Sequence, residues 1–302
     1  MPGETCVIVN PASGGGATGS RATETRAALL ESGLMQIYET TAAGEEATLA
    51  AHAMQRGART IIAVGGDGTC SRIAGAILES RTDCRLAVLP SGTGNDFAKT
   101  LGVTGFSPRQ VLDLIPTGAC ARIDVGRADG RYFINSCGFG FDASVLEATS
   151  RVQWLKGDAV YIYSALRMLF GYRGLEVTTV ASGSSTVKQH LLMITVSNGR
   201  FLGGAFMIAP GATVGDGLLD VCRVHDMTVR RRLQLFARAM RGTHSELAGV
   251  SLAQESSLTL RFDSPPLMEV DGELRRAGSS EVTIECVPRA LSVVAAPGAI
   301  AV

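Results

Sequence analysis

Val64-Gly65-Gly66-Asp67-Gly68-Thr69 constrains this chain more than any other stretch. The apolar, β-branched run Thr60 to Val64 before it reads as a buried strand, and Ser71 to Leu78 after it reads as a helix. The stretch is therefore a strand-to-helix turn with three glycines and one acid. Glycine admits positive φ and lets a ligand approach the backbone closely. The first N–H groups of the helix that follows favour an anion. An aspartate inside a phosphate cradle would repel the phosphate, so the same turn implies a bridging divalent cation. Taken in isolation, the motif has a competing reading: a tight turn that needs glycine for geometry alone.

The segments around it decide between the two. Cys6 to Asn10 is an apolar run ending in a polar residue, followed by the loop Pro11-Ala12-Ser13-Gly14-Gly15-Gly16. A helix is expected from about Ser20 to Ser32, stopping at Gly33. Met35 to Thr40 reads as a strand, Glu45 to Arg56 as a helix stopped by Gly57, and Leu86 to Leu89 as a strand running into Pro90-Ser91-Gly92-Thr93-Gly94-Asn95-Asp96. Strands alternating with helices at this spacing predict βαβ units, an α/β domain with a parallel, Rossmann-like sheet. The polar segments after the four strands then lie along one sheet edge, where open α/β sheets bind ligands. No Gly-Lys-Ser/Thr follows Gly16, so the first loop is not a P-loop.

After Leu112 the character changes. Short strand-like runs follow: Tyr132 to Ser136, Leu191 to Val196, Phe206 to Ala209, Leu218 to Val224, Leu258 to Phe262, Leu267 to Val270, Val282 to Val287 and Leu291 to Ala295. They predict a mainly β C-terminal sandwich with helical insertions. The expected domains are 1–122, binding a nucleotide, and 123–302, binding the substrate, with the last strand free to return to the first domain. Ala159 to Phe170 and Val229 to Arg241 read as helices. The second holds Arg230, Arg231, Arg232, Arg238 and Arg241 and no acid, with Leu233, Phe236, Ala237 and Met240 as its apolar stripe. Such a helix either lies on an anionic membrane surface or carries a solvated basic face.

Charge balance narrows the partners. Lys+Arg and Asp+Glu are 28 each, which argues against a general nucleic-acid binder. Gly is 36 of 302 residues, above the norm of roughly 7% and in keeping with tight turns and close ligand contact. The seven scattered cysteines include no CxxC pair and predict buried thiols in a reducing compartment, not a zinc site. A strand is expected at once from Cys6 with no signal peptide before it, and no apolar run reaches the ~20 residues of a bilayer span. The expectation is a soluble, cytoplasmic protein.

The second half carries acids in turn-like settings: Asp124, Asp216 and Asp220 around Gly217, and Asp271-Gly272-Glu273. An Asp-Gly pair after a strand is most often a hairpin turn, which favours structure for Asp216 and Asp271. Glu273 is not needed once the glycine has made the turn. Presented into an interdomain cleft, it could remove a proton from a hydroxyl. His52, His190, His225 and His244 show no ligand spacing.

VGGDGT (Val64–Thr69), LPSGTGNDFAKTL (Leu89–Leu101), NSCGFGFDA (Asn135–Ala143), the run from Asn198 to Asp220, and VDGE (Val270–Glu273) together resemble the soluble diacylglycerol-kinase-like lipid kinases, which include sphingosine and ceramide kinases. GGDGT alone also resembles NAD kinases and relatives of phosphofructokinase; the other stretches are more specific. The resemblance, from Asn10 to about Pro288, implies a kinase that uses ATP and Mg²⁺ to phosphorylate a lipid hydroxyl, with diacylglycerol giving phosphatidate as the leading case. It implies a nucleotide site of Asn10, Pro11, Ala12, Ser13, Gly14, Thr41, Gly65, Gly66, Asp67, Gly68, Thr69, Arg72, Thr93, Asn95 and Asp96. Asp67, with Asp124, would hold the catalytic magnesium. Thr213, Asp216 and the Leu218 carbonyl match a structural magnesium site, and Glu273 matches the general base. The expected partner is a lipid alcohol at a membrane surface, met peripherally through the Val229–Arg241 helix; a homodimer is left open, and no nucleic acid is expected.

The chain departs from that family at Cys70-Ser71-Arg72, where hydrophobic-Asn-Glu is usual. Arg72 reverses a charge beside the phosphates, although arginine can contact phosphate directly. Two further readings stay open: a kinase of the same fold acting on a sphingoid base, ceramide, glycolipid or specialised metabolite, and a nucleotide-sensing module without turnover. Glu273, Asp124 and Asp216 argue against the second, and the GTGND and DGE stretches argue against an NAD kinase.

Overall fold

The computed structural model describes residues 5–16, 25, 27–33, 36–117, 120–150, 167–181 and 186–300. The chain divides into two compact units, Met1–Asp124 with Pro288–Val302, and Val125–Val287. The division lies close to the boundary expected near residue 122. Pro288–Val302 returns to the first unit, the return that the sequence left open for the last strand.

Four apolar runs build the sheet of the first unit: β1 (Thr5–Val9), β2 (Ile37–Glu39), β3 (Thr60–Gly65) and β4 (Arg85–Pro90). β1 and β3 are buried along their whole length, as strands of a parallel sheet covered on both faces must be. β1 lies between β2 and β3, and β3 pairs with β4, all parallel. Ser292 and Val293 of the last strand add a parallel partner to β4. The helix Glu45–Gln55 is closed at Gly57, whose positive φ of 92 turns the chain out of the helix; its N–H donates to the Met54 carbonyl at 3.0 Å. The helix Asp67–Ser80 buries Thr69, Cys70, Ile73, Ala74 and Ile77, a stripe at helical spacing. Of the helix expected over Ser20–Ser32, residues 27–31 are helical and most of the rest lies outside the described residues.

The second unit is mainly β, and among the described residues its strand pairings are antiparallel. Its central strand is Thr186–Ser197. Ser136–Gly140 and Leu175–Ala181 share one edge of it, and Leu219–His225 takes the other. A bulge leaves Leu192 without a partner opposite Val224 and His225. Leu191, Ile194 and Val196 enter one buried cluster with Phe133, Phe139 and Leu260, whereas Leu192 and Met193 enter a second with Phe141, Val145 and Leu235.

Several expected strands shift. Phe206 to Ala209 is not a strand; Phe206 makes one isolated bridge to Leu202, and the run's apolar character buries Ile208 and Ala209 in the second cluster. Tyr132 to Ser136 splits into Arg131–Phe133 and the start of Ser136–Gly140. The two runs expected at 282–287 and 291–295 form one strand, Glu281–Val294. Pro288 lies within it, after the antiparallel pairing that ends at Glu285 and before the parallel one that starts at Ser292. The helix expected over Ala159–Phe170 lies largely outside the described residues; 167–171 are helical.

Candidate active site

The register of the first sheet brings its polar loops to one edge. Val9 is level with Glu39 and Val64, and Gly65 with Pro90, so β1 to β4 end together. The residues that leave the strands stay tied to one another. Asn10 N–H donates to the Val64 carbonyl (2.9 Å), Thr40 N–H to Val9 (2.9 Å) and Ser91 N–H to Gly65 (3.0 Å). The hydroxyls of Ser13 and Ser91 are 2.8 Å apart, joining the first and last of these loops.

The GGDGT and GTGND turns cross at their glycines. A Cβ on Gly92 would fall 2.5 Å from Gly66 Cα, so the crossing excludes any side chain there. Asp67 Oδ1 accepts a hydrogen bond from Phe97 N–H at 3.0 Å, capping the short helix Asp96–Thr100. Asn95 takes the left-handed conformation (φ 52) and closes its turn through Oδ1 to Gly92 N–H at 3.0 Å. Asp96 is buried and pairs with Lys99 at 2.9 Å. Burial pushes the Asp67 carboxyl above the usual aspartate value, the Phe97 N–H opposes this, and the Asp96 charge adds to it.

Each glycine of GGDGT answers a different demand. A Cβ on Gly65 would lie 2.5 Å from Thr69 Cβ. Gly66 meets Gly92. Gly68 stands in the first turn of the helix Asp67–Ser80 with no atom within 4 Å of where its Cβ would be. Packing therefore does not require a glycine at 68, and the space beside it is open. No side chain caps this helix, whose N-terminal residue Gly66 is extended. An uncapped helix start beside open space suits an anion.

A residue that drew no notice in the sequence organises the other side of the edge. Glu46 is fully buried. It accepts from Asn10 Nδ2 (3.0 Å), Gly44 N–H (3.0 Å) and Arg72 Nη1 (3.2 Å), and lies 3.4 Å from Thr69 Oγ1. The positive charge that Arg72 brings to this edge is thus balanced within the protein. Neighbouring Glu45 is partly exposed and its carboxylate instead accepts from the N–H (2.6 Å) and the hydroxyl (3.0 Å) of Thr41. Pro11, Ala12 and Thr93 are exposed on the same loops, with Gly14 at φ 65.

Among the described residues no three His, Cys, Asp or Glu side chains gather as a metal site. Magnesium does not need three, since it is commonly held by one or two carboxylates with phosphate oxygens and water. Half-buried Asp67, next to the open space at Gly68 and within reach of the charge of buried Asp96, fits that donor set. Asp124 is fully buried, and its Oδ1 accepts Arg289 N–H at 2.7 Å, tying together the segments by which the chain leaves and re-enters the first unit.

In the second unit, Leu267–Val270 and Glu273–Arg276 form a hairpin with Val270 opposite Glu273. Asp271 and Gly272 make its two-residue turn, both at positive φ (47 and 83). Asp271 is structural: its buried carboxylate accepts from the N–H groups of Ile134 (2.9 Å), Asn135 (2.8 Å) and Ser136 (3.1 Å). Glu273 begins the returning strand, partly exposed and paired with Arg275. In the third acidic turn, Asp216 Oδ1 accepts Leu218 N–H (3.0 Å) and Oδ2 accepts Gln254 Nε2 (3.2 Å). Burial raises the neighbouring Asp220 carboxyl, and the Asp216 charge raises it further, a mutual repulsion that a cation would relieve. Thr213 is partly buried in the same loop.

Residues 4–128 match the diacylglycerol kinase catalytic domain, and residues 135–295 match the YegS C-terminal NAD kinase beta sandwich-like domain. A diacylglycerol kinase of Mycobacterium tuberculosis is 29% identical over 298 residues, covering 96% of this chain and 94% of its own. A Pseudomonas fluorescens protein named "Probable lipid kinase YegS-like" is 32% identical over 254 residues, covering 77% and 83%. The crystal structure of a diacylglycerol kinase from Bacillus anthracis superposes with a TM-score of 0.73 at 20% identity, covering 99% of this chain and 98% of that one.

Proposed function

The chain belongs to the family of soluble diacylglycerol-kinase-like lipid kinases, and on that premise we propose that it transfers the γ-phosphoryl group of ATP to a lipid hydroxyl, with diacylglycerol as acceptor and phosphatidate as product. The observation that carries the nucleotide half of this reading is the junction of the two glycine turns at Asp67, with its uncapped helix start and the open space beside Gly68. Glycines 66 and 92 let the two loops approach closely enough for one ligand to touch both. Helix N–H groups and Arg72 meet phosphate oxygens; Asn10, Ser13 and Thr41 line the same edge. A magnesium ion bound by Asp67 and Asp96 would neutralise charge on the transferring group.

Glu273 is assigned as the base that takes the proton from the lipid hydroxyl. Arg275 holds its carboxylate in one orientation through a charged hydrogen bond. We keep Asp124 as a second acid of the metal region and Thr213, Asp216 and the Leu218 carbonyl as a structural magnesium site, which the Asp216–Asp220 repulsion supports.

Glu273→Gln keeps the size of the side chain and removes the base. Turnover of diacylglycerol should fall by about a hundredfold or more, the usual range for losing a placed general base, while ATP affinity stays within about twofold. Radiolabel transfer and equilibrium nucleotide binding measure the two. Near-normal turnover in this variant would remove Glu273 from the role.

A further inference from the structure

The three consecutive arginines at 230–232 do not act alike. In the helix Val229–Ala239, Leu235 and Ala239 face inward, and Phe236 sits edge-on to Phe141 and Phe206 at 5.6 and 5.5 Å. Arg232 lies on this inner side and is 5% exposed. Its Nη1 donates to the Leu169 carbonyl (2.8 Å), its Nη2 to the Tyr172 carbonyl (2.8 Å) and to Asp226 (2.6 Å), and its Nε to the Met227 carbonyl (3.0 Å). Arg232 is therefore a clamp that holds the helical turn 167–171 beside this helix. The apolar stripe expected from the sequence is corrected in the same way. Leu233 and Met240 point outward, and the buried stripe is Arg232, Leu235 and Ala239.

What the clamp leaves outside is an apolar patch in a basic frame. Phe170 (70% exposed), Met240 (58%) and Leu233 (47%) are three of the five large hydrophobic side chains exposed among the described residues. Arg167, Arg173, Arg230, Arg231 and Arg241 are exposed on the same two segments. Neither 167–173 nor 227–241 contains an acid. The nearest acid, Asp226, is spent on Arg232, and Glu246 is paired with Arg238.

We propose that this face of the second unit docks on an anionic lipid bilayer, with Phe170, Leu233 and Met240 entering the headgroup layer and the five exposed arginines meeting lipid phosphates. A second copy of the chain is a poorer occupant, because a symmetric contact would set these arginines against their own copies. A bilayer offers the complementary charge over the whole frame and an apolar layer beneath it. The proposal deepens the lipid-kinase reading by naming where the membrane is met, and it is tested without nucleotide or turnover.

The test is sedimentation of the full chain with phosphatidylcholine vesicles, with and without phosphatidylglycerol, at low and high salt. The wild type should bind the anionic vesicles and lose most of that binding in high salt. Arg230→Gln, Arg231→Gln and Arg241→Gln combined should weaken binding by about a hundredfold, near fivefold for each arginine. Phe170→Ser, Leu233→Ser and Met240→Ser combined should remove the binding that survives high salt. All six side chains are exposed, so thermal melts of both variants should match the wild type. Both should also keep wild-type turnover of a short-chain diacylglycerol dispersed in solution, which separates failure of docking from failure of the kinase reading. Unchanged vesicle binding in either triple variant would overturn the proposal, as would variants that dissolve a dimer in analytical ultracentrifugation while still binding vesicles.

Discussion

Gly68→Ala separates what the fold asks of the GGDGT turn from what a ligand asks of it. Gly68 is in a helix, its φ is not left-handed, and no atom lies within 4 Å of the added methyl. The substitution should therefore stabilise the unliganded protein by about 0.5–1 kcal/mol, the usual gain of alanine over glycine in a helix. That corresponds to a rise in Tm of roughly 1–2 °C for a protein of this size. If phosphate oxygens occupy the space, the same methyl overpacks it. A cost of about 1–3 kcal/mol weakens ATP binding by roughly 5- to 150-fold. Gly92→Ala is the contrast: its methyl would meet Gly66 Cα at 2.5 Å, so it should lower Tm with or without nucleotide. Scanning fluorimetry and ATP titration, run on both variants, give the two readouts. A Gly68→Ala protein that binds ATP like the wild type would refute the placement of phosphate at this turn, and a lowered Tm would refute the account of the open space.

Two further outcomes follow from buried charges. Burial raises the Asp142 carboxyl from 3.8 to about 6, with Ala143 N–H and the Thr195 hydroxyl (3.1 Å) opposing the rise. The folded state then favours the protonated acid, so this group's support is full below about pH 4, is lost as pH rises towards 6, and costs about 3 kcal/mol at pH 7. Asp142→Asn can keep both bonds, so in urea unfolding its advantage over the wild type should be near zero at pH 4 and about 3 kcal/mol at pH 7; a difference independent of pH would contradict the assignment. The Arg72–Glu46 contact (3.2 Å) joins a fully buried acid to a base about a third exposed, so a double-mutant cycle of Arg72→Gln and Glu46→Gln should show about 1–2 kcal/mol of coupling in stability, and strict additivity would deny the contact energetic content.

The α/β half was legible because its signals are local. Four apolar runs each end in a polar segment, three of them glycine-rich, and a parallel sheet brings those ends to one edge. The partners of the turns were less legible. Glu45 and Glu46 are the same residue type in adjacent positions, yet one caps an exposed loop and the other is buried under three donors. Only tertiary packing distinguishes them, and so too Arg232 from Arg230 and Arg231. In the β half, Leu175–Ala181 and Val250–Glu255 were missed because polar residues and Ala weaken their alternation, while the strongly apolar Phe206–Ala209 is loop that fills a core. The departure at Arg72 brings a reversed charge to the phosphate edge. Its answer lay 26 residues away in Glu46, a separation no local pattern reports.

The most direct test of the central claim is product identity. The purified chain is incubated with γ-labelled ATP, Mg²⁺ and a panel of lipid alcohols: diacylglycerol, ceramide, a sphingoid base and a glycolipid, with Glu273→Gln as the blank. The account predicts label in phosphatidate, dependent on Mg²⁺ and absent from the blank. Label confined to another alcohol would contradict the assigned acceptor, and ATP binding without label in any lipid would contradict the kinase itself.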